Sequence, residues 1–192
     1  MTAGEGHSTY WNGSMKRIRK WRLRLHLLIV GLFAGVTIIV FYPVVLDLGK
    51  RIPHVGRSPF PGEPYASLAL VSWFREAFVG GKTLSIIPQL GAPFGLDRPE
   101  IWYYPLVNII NIGLSYVYNE VFAYNALVLG SFLVAGITMY ALAYWLVRSA
   151  GAAIVAGTLY AFSAYHQMIS LAYLGEASIQ WLPLYVLMLL RI

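Results

Sequence analysis

Five of the eight acidic residues fall in one stretch, residues 47 to about 104: Asp47, Glu63, Glu76, Asp97 and Glu100. The same stretch carries Arg57, Arg75, Lys82 and Arg98. A carboxylate can take the proton of an attacking hydroxyl, and a guanidinium or ammonium group can hold a phosphate. Glu63 lies between Pro61 and Pro64, on a stiff turn that suits a positioned base; the plainer alternative is a solvated loop acid. Asp97 and Glu100 bracket Arg98-Pro99. That pattern reads as a surface turn with an ion pair or, alternatively, as a substrate or divalent-metal contact. His166 and Glu176 bound a second polar stretch. There the histidine is either structural or an acid–base or phosphate contact, and the glutamate either caps the next helix or joins the same site. The chain has no Walker loop, no HExxH and no GxSxG, and no residues are assigned as metal ligands.

The surrounding sequence explains what could hold such a loop. Hydrophobic residues make up 58% of the 192 and charged residues 11%, against about 25% charged in a soluble domain. Aromatics are 15%, as expected where rings sit at headgroup depth. The chain therefore reads as an all-α integral membrane protein, with membrane lipid as a partner. The net charge of +6 does not point to nucleic acid, because six of the fourteen Lys and Arg residues lie between Lys16 and Arg24, just before an apolar run. Cysteine is absent, which excludes disulfides and thiolate metal sites.

Residues 1–24 read as a disordered, basic, cytoplasmic N-terminus. Spans are expected at about 27–46, 121–147, 150–165 and 181–192, with an outer loop over 47–120. Tyr65–Val79 has the spacing of an amphipathic helix, with Leu68, Val71, Trp73, Phe74 and Phe78 near one side; Gly80-Gly81 ends it. Pro105–Tyr118 is 14 residues long and carries Asn108 and Asn111, which suits an interfacial helix. With the N-terminus inside, that arrangement puts Arg148 and Arg191 in the cytoplasm and every acidic residue except Glu5 outside. The chain stops in an apolar segment, so residues 25–192 are expected to be the N-terminal part of a larger polytopic domain of a multi-pass cell-membrane protein.

The order of motifs carries a resemblance. A basic N-terminal anchor leads to PGEPY (Pro61 to Tyr65), then GAPFG, then a YYP-type short helix. AYNALVLGSFLVAGITMYALAYWLVRSAGAAIVAGTLYAFSAY follows, and then QWLPL. From about residue 25 to 192 this resembles the GT-C superfamily of polytopic membrane glycosyltransferases. The nearest groups are the YfhO-like membrane proteins and bacterial relatives of the dolichyl-phosphate-mannose mannosyltransferases. The resemblance implies a GT-C-type helix bundle with a large first extracytoplasmic loop carrying interfacial helices. It implies transfer of a hexosyl or pentosyl group from a polyprenyl-phosphate-linked sugar to an acceptor outside the cytoplasm. It places an acidic residue of that loop on the acceptor nucleophile. Glu63 stands there, although the family usually has Asp; Asp47, nearer the first span, is the rival. Arg57, Arg75, Lys82 and Arg98 are the matching candidates for the lipid phosphate. The competing expectation is a non-catalytic polytopic scaffold or transporter component. The absence of ionisable residues from 27–46, 121–147 and 150–165 argues against ion-coupled transport through these spans.

Overall fold

A computed structural model of the chain describes residues 24–53, 62–88, 93–97 and 104–192. Arg57, Arg98, Glu100 and most of the N-terminal basic segment lie outside the described residues. The described chain is mostly helical. Helix α1 spans Arg24–Val40, α2 Glu63–Val79, α3 Pro105–Val117, α4 Glu120–Val147, α5 Ala150–Ala161, α6 Ala164–Ser170 and α7 Trp181–Leu189. A two-residue antiparallel ribbon pairs β1 (Ile86–Ile87) with β2 (Leu96–Asp97), Ile86 opposite Asp97.

Helix α4 is the axis. Its 28 residues extend about 42 Å at 1.5 Å per residue. It is the one described helix long and apolar enough to cross a membrane. Asn119 caps it, its side chain accepting the Phe122 amide proton at 2.8 Å. It ends at Arg148, which adopts the left-handed conformation with φ 58°. That conformation costs a non-glycine residue about 1–2 kcal/mol. Helices α3, α5 and α7 pack on α4.

The fit of α1 against the α4–α5 pair depends on small residues. Phe33 is fully buried, and its ring lies against Gly136 of α4 and Gly157 of α5. With no side chain on either glycine, the ring approaches both helix backbones and gains dispersion contacts with them. Two glycines opposite one ring provide that closeness.

Several elements differ from the sequence expectation. Helix α1 stops at Val40, six residues short of the expected end, because Pro43 lacks an N–H and restricts Tyr42; a 3-10 turn at Val44–Leu46 follows. The apolar run expected over 150–165 is two helices. Ser163 takes the amide proton of His166 at 3.3 Å and starts α6. A serine hydroxyl competes well for such an orphan donor, which favours a new helix start over continuation. The helices α1, α5 and α7 have 17, 12 and 9 residues, below the roughly 20 that cross a hydrocarbon core. On α2 the buried side chains are Pro64, Val71, Trp73, Phe74 and Ala77, whereas Phe78 is 68% exposed. Trp73 turns that face towards the ribbon, its indole N–H donating to the Leu84 carbonyl at 3.2 Å.

Candidate active site

Helix α2 begins at Glu63, with Pro64 in its first turn and Gly62 as cap. Proline suits that turn because its missing N–H would have no partner there, and a carboxylate favours the positive helix end. Glu63 is thereby placed at the rim of a cleft of about 290 Å³. Its walls come from α2, from Tyr104 with Asn108 and Asn111 of α3, and from residues 173–176 ahead of α7. Glu176 lines the same cleft, so the structure brings together Glu63 and Glu176.

Each carboxylate has a tyrosine partner. Tyr173 stands beside Glu63 and Tyr104 beside Glu176 in the cleft lining, each phenol within reach of the carboxylate's charge and of a hydrogen bond to it. Partial desolvation, then the Glu63 charge and this hydrogen bond, then the Glu176 charge, push the Tyr173 hydroxyl above the ordinary phenol range. Desolvation followed by the Glu176 charge and hydrogen bond does the same for Tyr104. Both phenols therefore stay protonated near neutrality and act as donors. Gly175 lies in contact with the Tyr104 ring, leaving no room for a Cβ at that position. Asn111, also in the cleft lining, is 2% exposed, and among the described residues its side-chain oxygen has no hydrogen-bond partner. An unpaired buried amide oxygen is costly unless a ligand donor meets it.

The other candidates lie elsewhere. Asp47 pairs with Arg51 at 3.0 Å in the turn after α1. That turn is strapped to α4: the Asn125 amide donates to the Leu48 and Arg51 carbonyls at 2.7 and 2.6 Å, and the Asn119 amide donates to Gly49 at 2.9 Å. Arg75 pairs with Glu120 at 2.9 Å and lies over the Tyr116 ring. The Lys82 ammonium lies 5.4 Å from the centre of the Trp73 ring. Asp97 is exposed on β2. His166 is fully buried outside the cleft, stacked on Phe132 with centroids 4.1 Å apart. Among the described residues, the cleft lining includes no Lys or Arg, and no three metal-ligating side chains cluster.

Sequence reasoning singled out Glu63 and Glu176 but not Tyr104, Tyr173 or the amides as cleft residues. Asn108 and Asn111 were visible as amides inside an apolar helix, a signal that indicates a polar contact as readily as an interfacial position. No protein-family model, curated protein or solved structure matches the chain.

Proposed function

We propose that this chain is part of a polytopic membrane glycosyltransferase of the GT-C kind, working at the extracytoplasmic face on a polyprenyl-phosphate-linked sugar. The observation that supports this reading is the shared cleft of Glu63 and Glu176, each carboxylate with a tyrosine hydroxyl beside it. Glu63 takes the proton of an acceptor hydroxyl as that oxygen bonds to the anomeric carbon. The bond from the anomeric carbon to the phosphate oxygen breaks, and polyprenyl phosphate leaves with the electron pair. Glu176 and the Asn111 oxygen accept hydrogen bonds from sugar hydroxyls and so fix the acceptor. The donor phosphate is left to Arg57 and Arg98 of the same outer loop, because Arg75 is already paired with Glu120 and Lys82 lies against Trp73. One observation favours a non-catalytic scaffold instead: the described cleft lining has no cation.

The test is transfer of a labelled sugar from polyprenyl phosphate by the protein in proteoliposomes. Glu63→Gln keeps the shape and removes the base, so turnover falls by roughly 10²–10⁴-fold with donor binding little changed. Asp47→Asn stays near wild type. Wild-type turnover in Glu63→Gln with an inactive Asp47→Asn moves the base to Asp47. If neither change matters in an active protein, the assignment of the loop fails. If no lipid-linked sugar supports transfer, the scaffold reading replaces it.

A further inference from the structure

At the opposite end of α4 is a second cavity, of about 390 Å³, between the start of α1 and the ends of α4 and α7. Arg148 and Arg191 line it with His26, Tyr140, Tyr144 and Trp145. The rings form an ordered cluster. Tyr140 and Tyr144 stack with centroids 5.8 Å apart, and His26 meets both edge-on at 6.1 and 6.0 Å. Among the described residues no acid lines the cavity, and the ion pairs among them, Arg51 with Asp47 and Arg75 with Glu120, include neither Arg148 nor Arg191.

Two guanidinium groups at the ends of different helices, lining one cavity with aromatic rings, suit an anion with several acceptor oxygens, phosphate above all. The helix dipole accounts for a cation at each helix C-terminus, but not for the shared ring cluster between them. Arg148 adds a second sign. It occupies a left-handed position that glycine or asparagine usually fills, so the charged side chain is kept there against the backbone preference.

The depth of the cavity selects the kind of phosphate. At about 42 Å, α4 exceeds a hydrocarbon core of about 30 Å, so when it crosses, its ends reach headgroup depth. Val30 and Ile137 continue the cavity wall with apolar surface suited to an acyl chain. We infer that this cavity binds the phosphate headgroup of an anionic glycerophospholipid, held by Arg148 and Arg191 in a pocket walled by Tyr140, Tyr144 and Trp145. The inference rests on α4 crossing the membrane and not on sugar transfer at the other end.

Native mass spectrometry of the protein released from nanodiscs of mixed phosphatidylglycerol and phosphatidylcholine tests it. The wild type is expected to retain phosphatidylglycerol at least tenfold over phosphatidylcholine. The double variant Arg148→Asn with Arg191→Gln, in which asparagine tolerates the left-handed backbone, is expected to lose that preference. Lysine at both positions is expected to keep most of it. Should the double variant fail to fold, Arg191→Gln alone is expected to lower the preference several-fold. An unchanged preference in a folded double variant, or in Arg191→Gln where only that variant folds, overturns the assignment. So does a wild type that binds inorganic phosphate but shows no preference between the two lipids.

Discussion

The Tyr173 hydroxyl interacts with Glu63 across the cleft, joining the loop ahead of α7 to the first turn of α2. Tyr173→Phe removes that hydroxyl and leaves the ring. A double-mutant cycle with Glu63→Gln, read by thermal unfolding in detergent, is expected to show melting-temperature shifts that are not additive. Strict additivity would mean the two side chains do not act together. In the transfer assay, Tyr173→Phe is expected to slow turnover less than Glu63→Gln, because the base remains.

Gly157 sets the approach of α5 to α4. A Cβ there would come within 2.7 Å of the Gly136 carbonyl oxygen and 2.7 Å of the Phe33 ring. The ring is fully buried and the carbonyl belongs to a helix, so neither can yield cheaply. Gly157→Ala is expected to destabilise the fold by about 1–3 kcal/mol, the usual cost of overpacking. Gly151→Ala, with open space at its Cβ, is the control and is expected to be neutral or slightly stabilising. Melting temperatures of the two variants in one detergent decide the matter.

How much of this was legible in the sequence depends on the kind of signal. Apolar runs and proline placed α2, α3 and α4 within two residues at either end, because period and backbone restriction act locally. The split between α5 and α6 was missed: Ser163 is one polar residue in an apolar run, and its capping bond exists only once His166 is helical. Glu63 and Glu176 were each recognised by type. Their meeting in one cleft was not legible, since it depends on Gly175 passing against Tyr104 and on the return of 171–176 to α2. Arg75 was read as a phosphate ligand from its charge. Its Glu120 partner lies on a helix far along the chain, and no local pattern announces such a pair.

Thr83 follows α2 in the loop expected outside, Ser149 follows α4, and both are exposed. The chain has no cysteine, so Thr83→Cys and Ser149→Cys each give a single reporter. The positive-inside reading puts Arg148 in the cytoplasm. Position 83 is expected to react with an impermeant thiol reagent in intact cells, and position 149 only after lysis. Labelling of 149 from outside would overturn that orientation; labelling of both from the same side would mean that α3 and α4 either both cross or both do not.

His166 supplies a pH dependence. Its Nδ1 lies 2.6 Å from the Ala161 carbonyl, and its Nε2 lies 3.1 Å from the Ala177 carbonyl and 3.2 Å from the Ser131 hydroxyl. Two carbonyls at two ring nitrogens favour the doubly protonated ring. Burial against Phe132 opposes it, and the net effect is a proton affinity below the ordinary imidazole range. The unfolded ring takes up its proton near pH 6.5, while the folded ring waits for a lower pH. Over that interval the unfolded state binds more protons. Stability is therefore full above about pH 6.5 and is lost as pH falls towards the folded value, by at most about 1.4 kcal/mol per pH unit. Melting temperature in detergent from pH 8 to pH 5 should fall more steeply for the wild type than for His166→Asn, which is less stable throughout but lacks this titration. Parallel curves for the two proteins would show that His166 carries none of the pH dependence.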